Sequence, residues 1–340
     1  MSRLVVVSNR VAPAKQPREG NQGGLAVAVL AALRETGGIW FGWNGKVKRN
    51  PESKPETVEA GRVTYRTISL SQQDYEQYYL GYSNRALWPL LHYRLDLSES
   101  THQDFEGYLR VNRIFVTRLL PMLRDDDLIW IHDFHLIPMA EYLRNAGSDH
   151  RIGFFLHVPW PAVQVLLALP HHREIVRALC SYDVVGFQTE SDREAFCSYI
   201  REEVKGEVDA NGVIRAFGRT LVARAFPISI DTENVTSLAE AAVKARPTQM
   251  LKQSILDRNL VIGVDRLDYS KGLLHRFEAV EHLLESYPEH RRNFVFLQIA
   301  PPTRSDVPEY QELRHELEAK AGHINGRFSE ADWAPARYLN

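Results

Sequence analysis

The sequence predicts an α/β protein with mostly parallel sheets, organised in two domains. Short apolar runs with the length and β-branched content of buried strands recur along the chain. Each run ends abruptly in polar residues, and a helical pattern follows, the order expected of a parallel sheet covered by helices. After a polar, helix-prone stretch from Asp231 to Lys252 the same order begins again, so the domains are read as residues 1–235 and 236–340. With 340 residues, 44% hydrophobic and 25% charged, the chain has globular composition and is long enough for two cores.

The first strand is Leu4 to Ser8, and it delivers Asn9 and Arg10 at its carboxyl end. A loop rich in Pro, Gly and polar residues leads to Gly23-Gly24, and the helix-forming run Leu25 to Leu33 follows. Strand, glycine loop and helix N-terminus form an anion site from free N–H groups and the helix dipole. A plain turn is the other reading of the glycine pair, and the dinucleotide pattern G-x-G-x-x-G is absent. Lys46 to Gly61 reads as a polar loop at a hairpin tip. Ser71 with Asp74 resembles a capping box that opens a helix through Tyr78 and Tyr79. Phe105 to Leu123 has helical periodicity, and Asp125-Asp126-Asp127 reads as a solvated turn. The strand Leu128 to Ile131 delivers His132, Asp133 and His135. A metal site there lacks further ligands at suitable spacing, whereas Asp133 suits sugar hydroxyls. Ile152 to Leu156 delivers His157, and Val184 to Phe187 precedes a helix capped by Thr189 and Asp192. Leu221 to Phe226 and Pro227 to Ile230 read as the last strands of this domain.

The second domain starts with Leu260 to Val264, a strand expected to be buried on both faces, followed by Asp265-Arg266-Leu267-Asp268-Tyr269-Ser270-Lys271 and the helix Leu273 to Ser286. In open α/β sheets ligands bind beyond the carboxyl ends of the strands. Arg266 and Lys271 stand there, and two readings are open. They form a diphosphate clamp, a bidentate Arg beside a point-charge Lys, or they are ordinary solvated charges at a turn. The strand Phe294 to Ile299 leads to Arg304, and a helix from Val307 to Ala321 follows.

A net charge of −2 gives no global field for nucleic acid or an anionic membrane. No apolar run approaches the roughly 20 residues of a membrane span, and Met1 leads directly into LVVVSNR without a signal-peptide pattern. Cys180 and Cys197 have neither metal-like spacing nor a disulfide framework; they read as buried thiols in a reducing cytoplasm.

Seven segments, in order, are VSNR (7–10), GGLAV (23–27), WFGWNG (40–45), LWP (87–89), HDFHL (132–136), GFFLHVPWP (153–161) and DRLDYSKG (265–272). Together they closely resemble glycosyltransferase family 20, retaining enzymes that use UDP-glucose to make trehalose 6-phosphate, and the resemblance covers the whole sequence. It implies the GT-B fold, two Rossmann-like domains facing a cleft. It also implies glucosyl transfer from UDP-glucose to glucose 6-phosphate with no metal or cofactor, and a homo-oligomer (dimer or tetramer). By matched position, Arg10, Tyr79 and Arg304 hold the acceptor phosphate, and Trp88 and Asp133 shape the acceptor sugar site. Gly23 and Gly24 approach the donor diphosphate, Arg266 and Lys271 bind and stabilise it as it leaves, His157 contacts the donor glucose, and Trp40 lines the cleft. Arg266, Lys271, Asp133 and His157 form the catalytic group.

The sequence departs from the family pattern at Phe134, Val158 and Trp160, where Tyr, Ile and Phe are expected. It also stops after ADWAPARYLN, before an acidic, glycine-containing segment that grips ribose and donor glucose in the family, so the second domain is read as truncated and weak donor binding is expected. Two other functions fit parts of the pattern. A glucosylglycerol-phosphate synthase would also use Arg10 and Arg304, whereas aromatic walls at Tyr79 and Trp88 favour a sugar acceptor. A non-catalytic glucose 6-phosphate-binding protein would have no need of Arg266 and Lys271.

Overall fold

The computed structural model describes residues 2–11, 24–304 and 306–340. They divide into two compact units, Met1–Ile228 and Ser229–Asn340.

The first unit contains strands β1 (Leu4–Arg10), β2 (Gly38–Val47), β3 (Glu56–Ala60), β4 (Val63–Leu70), β5 (Leu128–His132), β6 (Arg151–Phe155), β7 (Val184–Phe187), β8 (Glu207–Val208), β9 (Val213–Ala216) and β10 (Arg219–Ala225). They form one sheet in the order β3-β4-β2-β1-β5-β6-β7-β10-β9-β8. From β4 to β10 every neighbouring pair is parallel. Antiparallel β3, and β9 with β8, finish the two edges. Val5, Val6 and Val7 of β1 are fully buried, as expected of a central strand covered on both faces.

Helices cover this sheet where the side-chain spacing demands it. In the helix His102–Leu119, Phe105, Tyr108, Val111, Phe115 and Leu119 are buried at intervals of three and four. Thr101 opens it by accepting the Asp104 N–H, and Thr189 opens the helix Glu190–Tyr199 by accepting that of Asp192. Ser71 does the same for Asp74. Beyond that cap, the expected α-helix lasts one turn, Gln72–Asp74, and then widens into a π-helix, Tyr75–Leu87. Arg110 ties the widened helix to its neighbour, donating to Asp74 and Gln77, each at 2.8 Å. Such π segments recur at functional sites.

Expectations for three segments of the first unit need correction. The loop 46–61 contains β3, whose five residues pair with β4 to build the hairpin. Asp127 is buried rather than solvated, because its carboxylate accepts two hydrogen bonds from Arg3, at 2.9 and 2.6 Å, and one from the Arg124 N–H. Residues 227–230 form no strand, and Ile228 and Ile230 are exposed. Cys180 and Cys197 are buried free thiols, and burial pushes the Cys180 thiol up to about 12.

The second unit has a parallel sheet β11 (Asn259–Val264), β12 (Phe294–Ile299) and β13 (Ala336–Leu339), in that order. Central β12 packs on the helices Leu273–Ser286 and Pro308–Phe328 through Phe277, Leu284, Leu317 and Ile324. The two-sided burial expected of β11 does not hold: Val261, Ile262 and Val264 are 49, 53 and 62% exposed. β11 pairs only with β12, so it is an edge among the described strands, and Leu260 is its contact with the core.

Candidate functional site

In the first unit the chemistry sits where adjacent parallel strands β1, β5 and β6 end. Register places Val7 beside Ile131, and His132 beside Phe155. The residues just beyond, Asn9-Arg10, Asp133 and His157, therefore share one sheet edge. Arg10 is exposed and lies over the Trp43 ring, 4.5 Å from its centroid. Tyr79 meets Trp43 edge-on at 5.3 Å and stacks on Tyr75 at 5.5 Å and His135 at 6.0 Å. The π-helix thus supplies an aromatic wall beside the Arg10 guanidinium. Tyr78, one residue earlier, donates its hydroxyl to Asn9 Oδ1 at 2.9 Å and fixes the end of β1. Gly45 closes the other side: its φ is +83°, and a Cβ there would lie 2.3 Å from an Arg10 guanidinium nitrogen. Trp88 is buried against Phe134, with ring centroids 5.7 Å apart.

Asp133 follows β5 directly, with φ 75° and ψ 163°, a region almost confined to glycine. Its N–H donates to the Phe155 carbonyl at 2.8 Å, and its Oδ1 accepts from the His157 N–H at 3.3 Å. Those two bonds hold the strained residue across the β5–β6 edge. His157 Nε2 lies 2.9 Å from His132 Nδ1. Burial pushes His157 down to about 4, and burial, then the neighbouring His157, pushes His132 well below the ordinary imidazole range. Both rings are therefore neutral near pH 7.

In the second unit the turn after β11 buries its middle and exposes its two cations. Leu267 and Asp268 are buried, whereas Arg266 and Lys271 are exposed. Neither cation forms a side-chain hydrogen bond or ion pair with the described residues. Asp268 is fully buried and holds two things. Its Oδ1 accepts the Ser270 N–H at 3.0 Å, closing the turn that presents Lys271, and its Oδ2 accepts from Arg304 at 2.9 Å. Arg304 also donates to the Tyr310 hydroxyl at 2.6 Å. Gly272 has φ +62°, which lets the chain pass from this turn into the helix Leu273–Ser286. Asp265 is paired with Arg276 at 2.7 Å.

The sequence-predicted residues thus fall into two sets. Arg10, Tyr79, Trp88, Asp133 and His157 belong to the strand edge of the first unit; Arg266, Lys271 and Arg304 cluster in the second. Trp40 stands apart from the edge: it is 3% exposed in a core cluster with Val6 and Tyr65, and its indole N–H donates to Ser8 Oγ at 2.9 Å. Gly24 is the first residue of the helix Gly24–Thr36, and Gly23 lies outside the described residues. Among the described residues, no three His, Cys, Asp or Glu side chains gather in a way that could hold a metal ion.

Comparison with known proteins identifies the family. The model of glycosyltransferase family 20 matches residues 2–340. The chain belongs to glycosyltransferase family 20. It is 46% identical over 340 residues to the trehalose-6-phosphate synthase of Sodalis glossinidius, covering 100% of this chain and 72% of that protein. A UDP-forming α,α-trehalose-phosphate synthase from Burkholderia xenovorans, solved with glucose 6-phosphate, superposes with a TM-score of 0.95 at 52% identity, over 100% of this chain and 74% of that one. A structure from E. coli bound with UDP-2-fluoro glucose gives 0.93 at 44% identity, over 100% and 73%. The α/β fold with mostly parallel sheets is that of these family members.

Several residues of this family member escaped the sequence reading of the site. Trp43, Gly45, Tyr78 and Asp268 lie inside or beside recognisable segments, but their roles depend on contacts with distant residues. A signal existed only for Asp268, an acidic residue two positions before Ser270 that can close an Asx turn.

Two predictions follow from this geometry. The unfolded chain's histidines, near 6.5, bind protons between pH 6.5 and 4 that the folded His132 and His157 refuse. First-unit stability is therefore full above pH 6.5 and falls as pH drops towards 4, by up to about 1.4 kcal/mol per pH unit for each ring. Urea midpoints from pH 7.5 to 4.5 measure this, and His157→Asn should flatten the slope. At Asp133 the backbone strain, about 1–3 kcal/mol, disappears with glycine and persists with alanine. Asp133→Gly is expected to unfold about 1–2 kcal/mol later than Asp133→Ala, the reverse of the usual order.

Proposed function

We infer that this chain catalyses glucosyl transfer from UDP-glucose to glucose 6-phosphate with retention, giving α,α-trehalose 6-phosphate and UDP. The observation that carries the reading is the pair Arg266 and Lys271, two exposed cations without a partner among the described residues at the end of β11. A cation kept out of ion pairs near a strand end is available to an anion, and a leaving UDP gains charge as the glycosidic bond breaks. We assign the donor diphosphate to Arg266 and Lys271, keep Gly23 and Gly24 as proposed donor residues, and therefore read the second unit as the nucleotide-sugar unit.

The first unit is read as the acceptor unit. Arg10 and Tyr79 are assigned to the phosphate of glucose 6-phosphate, and Trp88 and Asp133 to its sugar; Arg304 is proposed as a further phosphate ligand. His157 is assigned to the donor glucose. Trp40 takes a positioning role in this account: through Ser8 it holds the end of β1 that presents Arg10. Two-carboxylate retaining hydrolases place their acids about 5 Å apart, and no such pair is assigned here. The assigned groups suit a front-face route in which the leaving phosphate oxygen takes the proton of the attacking acceptor hydroxyl. The new glycosidic bond then forms on the face from which UDP departs. Nucleotide sugar and hexose phosphate are both intracellular metabolites, and two free buried thiols agree with a cytoplasmic site of action.

UDP release by the natural polypeptide carrying these residues tests this. Release from UDP-glucose should require glucose 6-phosphate, and glycerol 3-phosphate should not replace it. Preference for glycerol 3-phosphate would instead favour a glucosylglycerol-phosphate synthase, and binding of glucose 6-phosphate without any release a sensor. Lys271→Ala should lose about 2–4 kcal/mol of transition-state stabilisation, roughly 30- to 1000-fold in kcat. Near-normal turnover in that variant would remove Lys271 from the leaving-group role.

A further inference from the structure

His132 is the buried neighbour of a residue assigned to the donor sugar, and its environment restricts where protons sit. It is 1% exposed at the end of β5, and the Trp130 ring lies 4.3 Å from its own, centroid to centroid. One ring nitrogen, Nδ1, is 2.9 Å from His157 Nε2. The other, Nε2, is buried without a hydrogen-bond partner among the described residues. His157 is only partly buried, and Phe155 meets its ring edge-on at 4.6 Å, which restrains its rotation. With His157 Nε2 engaged by His132, Nδ1 is the nitrogen left for a ligand.

Two neutral imidazoles that share one hydrogen bond have two arrangements. If His132 accepted at Nδ1, its proton would sit on Nε2, a buried N–H with nothing to receive it, and orphaned buried N–H groups are rare. If His132 donates from Nδ1, its Nε2 is a bare lone pair and no N–H is stranded. His157 then accepts at Nε2, so its own proton must sit on Nδ1. We propose that His132 is a positioning residue: by donating from Nδ1 to His157 Nε2 it holds His157 as the Nδ1–H tautomer, so that His157 offers the ligand a hydrogen-bond donor and selects a sugar oxygen as acceptor. The sugar in this statement rests on the function inferred above; the proton arrangement does not.

Nitrogen NMR of 15N-histidine-labelled protein at pH 7, without substrate, reads the tautomers directly. Both rings should be protonated at Nδ1 and bare at Nε2; a proton on His157 Nε2, or a charged ring, would overturn the proposal. Two variants separate positioning from space filling. His132→Asn keeps a donor near the Nδ1 position in a smaller volume, and His132→Phe keeps volume without a donor. Positioning predicts that Asn retains kcat/KM for the donor within about threefold while Phe loses about tenfold or more, one hydrogen bond's worth. The reverse order, with Phe the better tolerated, means packing alone and contradicts the proposal. If the tautomers are as stated but no form of the protein transfers glucose, the inferred reaction fails and the histidine arrangement stands.

Discussion

The candidate residues of the second unit depend on one buried carboxylate. Asp268 has no solvent exposure, and its two oxygens are committed to different tasks: Oδ1 closes the turn that presents Lys271, and Oδ2 anchors Arg304. A charge so buried is expensive unless it is paired and hydrogen-bonded, and here the guanidinium, the Tyr310 hydroxyl and a backbone N–H meet that demand. The arrangement leaves Lys271 outside the pairing. One cation, Arg304, is anchored by the carboxylate, and another, Lys271, is presented to solvent at a defined place.

The first unit meets the same requirement by other means. Its cation, Arg10, is held over Trp43, and no carboxylate pairs with it among the described residues. Position comes from the end of β1, where Asn9 accepts from Tyr78 and Ser8 accepts from Trp40, and from the space that Gly45 leaves open. Asp133 adds strain to this edge. A residue with φ 75° and ψ 163° persists because the Phe155 carbonyl and the His157 N–H fix it from the neighbouring strand. The order β1-β5-β6 makes that possible, since only adjacent parallel strands put these ends within hydrogen-bond reach.

Local chemistry was legible in the sequence; distant contacts were not. The apolar cores of β1, β5, β6, β7 and β12 announce themselves by composition, and Ser71 and Thr189 cap helices with chemistry written within four residues. Polar residues just past strand ends pointed to Arg10, Asp133, His157, Arg266 and Lys271, because the rule linking strand ends to ligands needs no tertiary knowledge. The exposure of β11 was illegible, since an apolar hexapeptide reads alike whether one or two strands flank it. Trp40 came only from the family resemblance, and its bond to Ser8 Oγ, 32 positions away, is not written in its neighbours. The π-helix differs from an α-helix only in hydrogen-bond offset, which no propensity encodes. Arg304 and Asp268 are 36 positions apart, and Asn9 and Tyr78 are 69. Pairings over such distances emerge only from the fold.

The double commitment of Asp268 is the central claim, and separating its two oxygens tests it. Asp268→Asn keeps an acceptor for the Ser270 N–H but offers Arg304 an amide in place of a carboxylate; Asp268→Ala removes both. Steady-state kinetics of the natural polypeptide would compare KM for glucose 6-phosphate with inhibition by UDP. The account predicts that the Asn variant raises that KM by about tenfold or more, a charged hydrogen bond's worth, with UDP inhibition within about twofold of normal, while the Ala variant impairs both. An Asn variant with unchanged KM, or one that loses UDP inhibition as fully as Ala, would contradict it.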